Sequence, residues 1–100
     1  ENNVVHARHL YTILVNPDEI GKTRDDVLNE LTGLNIGTGV HFQALHLHQY
    51  YREKFSYRPG DYPNAESIGA RTLSLPLSAK LGDRDVEDVI AAVQAIMARA

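Results

Sequence analysis

Cysteine is absent from this 100-residue sequence, and so is tryptophan. Without thiols there is no disulfide framework and no thiolate metal site. That fits a reducing compartment, and a cytoplasmic protein is expected. Positive charge is also short: ten Lys and Arg stand against thirteen Asp and Glu, a net −3. No basic field draws the chain to nucleic acid or to an anionic membrane. Long hydrophobic runs are missing too. The longest apolar stretches, Leu10–Val15 and Val89–Val93, fall far below the roughly 18 residues of a spanning helix. Methionine is almost absent: Met97 is the only one, and the chain opens on the polar Glu1-Asn2-Asn3. The expectation is a piece of a longer protein, with residues 1–8 as the end of a linker and 9–100 as one small domain.

What is present is enough for a core. Apolar residues make up 43% of the chain, and a chain this long buries about two-thirds of its unfolded surface. Leu10-Tyr11-Thr12-Ile13-Leu14-Val15 is rich in β-branched and aromatic residues and stops at the turn cluster Asn16-Pro17-Asp18. It reads as a buried strand. Thr23 can cap a helix, with Asp26 closing a short-armed capping box, and Val27, Leu28, Leu31 and Leu34 give that helix a core face. Gly33 and Asn35 supply its stop. Gly37-Thr38-Gly39-Val40-His41-Phe42 reads as a second strand, whose glycines suggest that something approaches the backbone closely.

Leu45 to Phe55 reads as one helix, because Leu47, Tyr50, Tyr51 and Phe55 recur at threes and fours. After a loop around Arg58-Pro59-Gly60-Asp61, Pro63 suits a first helical position. Leu73-Ser74-Leu75-Pro76-Leu77 alternates like a short strand, and Pro76 confines it to an edge or an end. The last helix opens at Asp83, with Asp85, Glu87 and Asp88 near its positive end. Its expected apolar stripe is Val86, Val89, Ile90, Val93 and Met97. The order β-α-β-α-α-β-α predicts an α+β fold: a small three-stranded, mainly antiparallel sheet with helices over one face. The other face then needs a cover.

Three of the five histidines fall at positions 41, 46 and 48. Metal binding is not favoured, since residues two apart on a helix point apart and no carboxylate lies at ligand spacing. His48 reads as a solvated histidine. His46 and Tyr50 share a helical face and could pair. His41, where a strand leaves the sheet, reads equally as a presented functional group or a satisfied structural histidine. The lysines, Lys22, Lys54 and Lys80, lie in polar settings, and none resembles the desolvated amine of Schiff-base chemistry.

The segments Asn35-Ile36-Gly37-Thr38-Gly39-Val40-His41-Phe42, Tyr50-Tyr51-Arg52-Glu53-Lys54-Phe55, Pro63-Asn64-Ala65-Glu66 and Leu73-Ser74-Leu75-Pro76-Leu77, with His9-Leu10-Tyr11 before them, resemble a known pattern. Together they look like the C-terminal small domain of the DegT/DnrJ/StrS-type nucleotide-sugar aminotransferases, which have the type I fold of aspartate aminotransferase. The resemblance runs from about His9 to the end. Ser78-Ala79 depart from the aromatic or proline common after the "LSLPL" strand. Gly82 stands where a capping Thr or Ser is usual.

The resemblance implies pyridoxal 5'-phosphate as cofactor, held by a larger N-terminal domain that carries the Schiff-base lysine. It implies glutamate or a similar amino donor, a nucleotide-linked sugar as acceptor, and a homodimer. The small domain walls one side of the substrate cleft and is inactive alone. Catalytic residues lie outside it. His41, in the family's "VHF" motif, is expected to hydrogen-bond the nucleotide-sugar with Phe42 lining the same wall, and His9 and His46 are weaker candidates for substrate contact. Two other readings remain: a relative that serves as a regulatory protein or a sugar dehydratase, and a free-standing α+β interaction module.

Overall fold

In the computed structural model, which describes residues 2–99, β1 (Tyr11–Leu14) pairs antiparallel with β2 (Thr72–Leu75). Tyr11 lies opposite Leu75, and Leu14 opposite Thr72. Between the strands run α1 (Pro17–Ile20), α2 (Arg24–Gly33), a 3-10 turn at Leu45–Leu47, α3 (Gln49–Phe55) and α4 (Pro63–Arg71); α5 (Asp83–Ala98) follows β2. The two-residue side-chain period puts Tyr11, Ile13, Leu73 and Leu75 on one face of the ribbon. Thr12, Leu14, Thr72 and Ser74 take the other.

The α+β expectation holds, with two corrections. Among the described residues the sheet has two strands, not three. The expected strand Gly37–Phe42 shrinks to a single bridge, in which Gly39 and Ser74 exchange both backbone hydrogen bonds, at 3.1 and 2.8 Å. The bridge uses the edge of β2 that β1 leaves free. Gly37 and Gly39 bring no side chains to hold a longer ladder, and past His41 the backbone turns to follow α4. A second correction concerns Leu45–Phe55. His48 is extended, at φ −66° and ψ 140°, and splits the expected helix into the 3-10 turn and α3.

The core forms where α2 and α5 meet the Leu73 face. Val27, Leu31, Leu73 and Ile96 are the largest fully buried side chains, each worth about 1.5–3 kcal/mol by transfer from water. α2 is fixed at both ends. Asp26 N–H donates to Thr23 Oγ1 at 3.2 Å, and Thr23 N–H donates to Asp26 Oδ2 at 2.8 Å, the expected capping box. At the other end Asn35 adopts φ 61°, and Ile36 N–H reaches back to the Leu31 carbonyl at 2.9 Å. This is a Schellman closure with Asn in the left-handed position. Lys22 Nζ donates to the Ile96 carbonyl at 3.0 Å, which ties α2 to the negative end of α5. Arg24 and Arg71 donate to the carbonyls of Thr72 and Val15, at 3.0 and 2.8 Å, and fix where α4 passes into β2.

The apolar stripe of α5 is only partly used. Val93 and Met97 are partly buried against the core, whereas Val86 and Ile90 stay 45% and 50% exposed. The two fully buried residues of the helix, Ala92 and Ile96, lie outside the expected stripe. The N-terminal half of α5 stands off from the sheet across an apolar groove of about 500 Å³ lined by Tyr11, Ile13, Leu75, Val86, Val89 and Ile90 among others. Helical spacing shows which side of a helix is apolar but not how much of it the domain covers.

Ile96→Ala is therefore expected to lower the unfolding free energy of the 100-residue chain by about 2–5 kcal/mol. Ile90→Ala is expected to cost much less, and denaturant titration of both variants compares them.

Candidate functional site

The site is built from a backbone pair. Gly39 and Ser74 face each other across the bridge, and the chain then folds the imidazole of His41 back over Gly39. A Cβ added at position 39 would lie 2.6 Å from His41 Cε1, so the ring occupies space that only glycine leaves open. There His41 Nδ1 sits 2.7 Å from Ser74 Oγ. Ser74 is 5% exposed, whereas His41 keeps an accessible edge. Phe42 meets the imidazole edge-to-face, with centroids 4.9 Å apart, and is 71% exposed.

A second glycine holds the segment from the α4 side. A Cβ at Gly69 would come within 2.8 Å of Ala44 N and 3.3 Å of the Phe42 carbonyl oxygen. The backbone of residues 42–44 thus lies directly against α4, and Ala44 is buried. Close approach was expected at Gly37 and Gly39. At Gly39 the approaching group is the His41 imidazole and nothing lies near Gly37, while the backbone approach occurs at Gly69 instead.

His46 is organised differently. It is 5% exposed, and its Nε2 lies 3.1 Å from Glu66 Oε1. The same oxygen accepts the Gly60 N–H at 2.7 Å. The Tyr62 ring stands edge-on at 5.0 Å. The amide of Gly60 and then the imidazole of His46 stabilise the Glu66 carboxylate and hold its pKa below the ordinary value against the opposing effect of burial. Glu66 thereby joins α4, the 3-10 turn and the Arg58–Asp61 loop. The expected His46–Tyr50 pair does not form, because the break at His48 puts the two out of phase. Tyr50 instead accepts from Lys54 Nζ at 2.9 Å. His48 is exposed, as is His9 on the segment leading into β1.

The structure therefore brings His41 and Phe42 together, and adds Ser74, which sequence reasoning passed over. It directs His46 inward and leaves His9 exposed. The signal for Ser74 was present in the alternation of Leu73-Ser74-Leu75, which turns its hydroxyl away from the core. Four surface concavities, of about 410 to 500 Å³, are lined by other residues than His41 and Phe42.

The side chains present do not fit pyridoxal phosphate. Lys22 is engaged by Glu30 at 3.0 Å and by the Ile96 carbonyl, and Lys54 by Tyr50. Lys80 sits in an exposed turn. Among the described residues no group of three or more His, Asp or Glu could hold a metal ion, and no helix is long and apolar enough to cross a membrane.

The sequence profile of the DegT/DnrJ/EryC1/StrS aminotransferase family matches residues 1–94. An uncharacterised protein of Methanocaldococcus jannaschii is 47% identical over 97 residues, which are 97% of this chain and 25% of that protein. The spore coat polysaccharide biosynthesis protein SpsC of Bacillus subtilis is 46% identical over 93 residues, 92% of this chain and 24% of SpsC. Among solved structures, Helicobacter pylori PseC, an aminotransferase involved in the biosynthesis of pseudoaminic acid, superposes with a TM-score of 0.80 at 25% identity. That match covers 92% of this chain and 24% of PseC. The chain spans about a quarter of the length of the curated relatives it matches.

The Glu66 network has a pH signature. A carboxylate with a lowered folded pKa stabilises the fold above its ordinary pKa of about 4.3, and that contribution fades as pH falls through the folded value. Glu66→Gln is expected to lower the melting temperature of the chain at pH 7. The gap to wild type is expected to narrow as pH falls below the ordinary carboxylate value, measured by circular dichroism melts across the acid range.

Proposed function

The chain belongs to the DegT/DnrJ/EryC1/StrS aminotransferase family, and from that premise we propose that it is the C-terminal small domain of a pyridoxal-phosphate-dependent sugar aminotransferase. The reaction moves an amino group, typically from glutamate, to a keto group of a nucleotide-linked sugar. Pyridoxal phosphate, when bound, supplies the electron sink for that exchange. Its lysine belongs to the large N-terminal domain of the same protein, in a homodimer. The apolar groove between the sheet and α5 suits an apolar surface of such a neighbour. The match to SpsC, a polysaccharide biosynthesis protein, and to PseC supports a carbohydrate acceptor.

This chain's part is to form one wall of the substrate cleft. One observation carries that reading: with Nδ1 taken by Ser74, His41 keeps Nε2 for a partner outside the domain, beside a phenyl ring that is largely exposed. A hydrogen-bonding nitrogen next to an apolar ring suits a ligand with both oxygens and ring faces, and a nucleotide-sugar has both. His41 binds and orients the acceptor, and Phe42 covers it and excludes water. His46 supports the wall from inside through Glu66. His9 is exposed on the segment leading into β1.

Losing a hydrogen bond that leaves a bound polar group unpaired costs about 1–3 kcal/mol. His41→Ala in the full-length enzyme is therefore expected to raise the KM for the nucleotide-sugar by about five- to a hundred-and-fiftyfold. The KM for glutamate is expected to change far less. Steady-state kinetics with each substrate varied separately checks this, and an unchanged sugar dependence makes His41 a structural residue.

A further inference from the structure

We propose that Ser74 is a positioning residue that fixes the His41 imidazole as its Nε2–H tautomer, so that the ring presents a donor to an acceptor oxygen of the nucleotide-sugar. The proposal rests on the reading of His41 as a substrate contact and names the chemistry of that contact.

The argument is one of hydrogen-bond economy. A hydroxyl carries one proton, and when buried it donates it. The Ser74 side chain is buried, and its one hydrogen-bond partner among the described residues is His41 Nδ1, at 2.7 Å. The Ser74 backbone N–H and carbonyl are both taken by Gly39. The hydroxyl proton therefore points at Nδ1, which accepts it through its lone pair. In a neutral imidazole the nitrogen opposite an acceptor carries the hydrogen, so Nε2 is the donor.

The ring has little freedom to escape this assignment. It lies on Gly39, within 2.6 Å of where a Cβ would stand, and Phe42 meets it edge-on. Ser74 is held in turn by the bridge to Gly39 on one side and the ladder to β1 on the other. A donor at Nε2 suits phosphate, carbonyl or hydroxyl oxygens and disfavours an amino group.

The test uses the full-length holoenzyme. In protein labelled with 15N-histidine, the His41 signals, identified by their loss in His41→Gln, are expected to show a protonated Nε2 and an unprotonated Nδ1. A protonated Nδ1 in the neutral ring overturns the proposal. Kinetics supplies the second arm, with UDP-, dTDP- and GDP-linked 4-keto-6-deoxyhexoses tested in turn. Ser74→Ala is expected to raise the KM for the sugar that is turned over by about three- to thirtyfold, with a smaller change for glutamate. Ser74→Thr, which keeps the hydroxyl, restores it. In a His41→Ala background Ser74→Ala adds nothing further.

If His41→Ala leaves the sugar KM unchanged, or wild-type enzyme charged by glutamate discharges to none of the panel, the underlying reading falls. If His41→Ala weakens sugar use while Ser74→Ala does not, or if Ser74→Ala is equally harmful without His41, only the role of Ser74 falls.

Discussion

The imidazole of His41 lies where it does because residue 39 has no Cβ and residue 74 carries a buried hydroxyl. Those two positions face each other across one backbone pair, and the rest of the candidate site is arranged around that pair. Removing either constraint releases the ring: a side chain at 39 displaces it sterically, and an apolar residue at 74 leaves Nδ1 without a partner. The loss of a third strand follows from the same residues. Gly39, which makes room for the ring, and Gly37 before it bring no side chains to extend the ladder, so the sheet is reduced to a bridge where the imidazole is placed.

Holding such a segment needs support from outside the sheet. α4 provides it twice, through the bare surface at Gly69 against residues 42–44 and through the Glu66 carboxylate that gathers Gly60 and His46. α4 is in turn fixed to the end of β1 by Arg71, which donates to the Val15 carbonyl, and to α2 by Arg24, which donates to the Gly69 carbonyl. The chain of restraint runs from a well-packed core, through backbone carbonyls capped by arginine, to a partly exposed imidazole and an exposed phenyl ring. The two open features of the domain are different in kind. The apolar groove beside α5 suits contact with another folded surface, and the His41–Phe42 edge suits a polar ligand with ring faces.

Much of this was legible in the sequence where the deciding interactions are local. The β-branched run before Asn16, the Thr23–Asp26 box, Pro63 at the head of α4 and the acidic start of α5 each act within a few residues, and each element is found. The strand expected to be buried is not, however: Tyr11, Thr12 and Leu14 are exposed and only Val15, just past it, is fully buried. The third strand was overread, because two-residue alternation does not show whether a partner edge will be followed. The single helix from Leu45 to Phe55 was overread for a related reason: Glu66 draws His46 inward from twenty positions away, and no local period reports that. Ser74 and Gly39 stand 35 positions apart in sequence, so the pair that positions His41 was visible only as an outward serine and a glycine of unassigned purpose. The resemblance to aminotransferase small domains identified the family, and the sequence comparisons agree with it. The geometry behind the histidine had to come from the fold.

The most direct measurement is a crystal structure of the full-length protein with pyridoxal phosphate and the nucleotide-sugar product bound. The account places Nε2 of His41 within about 2.7–3.2 Å of an oxygen of the ligand, with Phe42 against it and Nδ1 still on Ser74. A ligand seated away from this wall, with the His41 edge covered by protein instead, contradicts it.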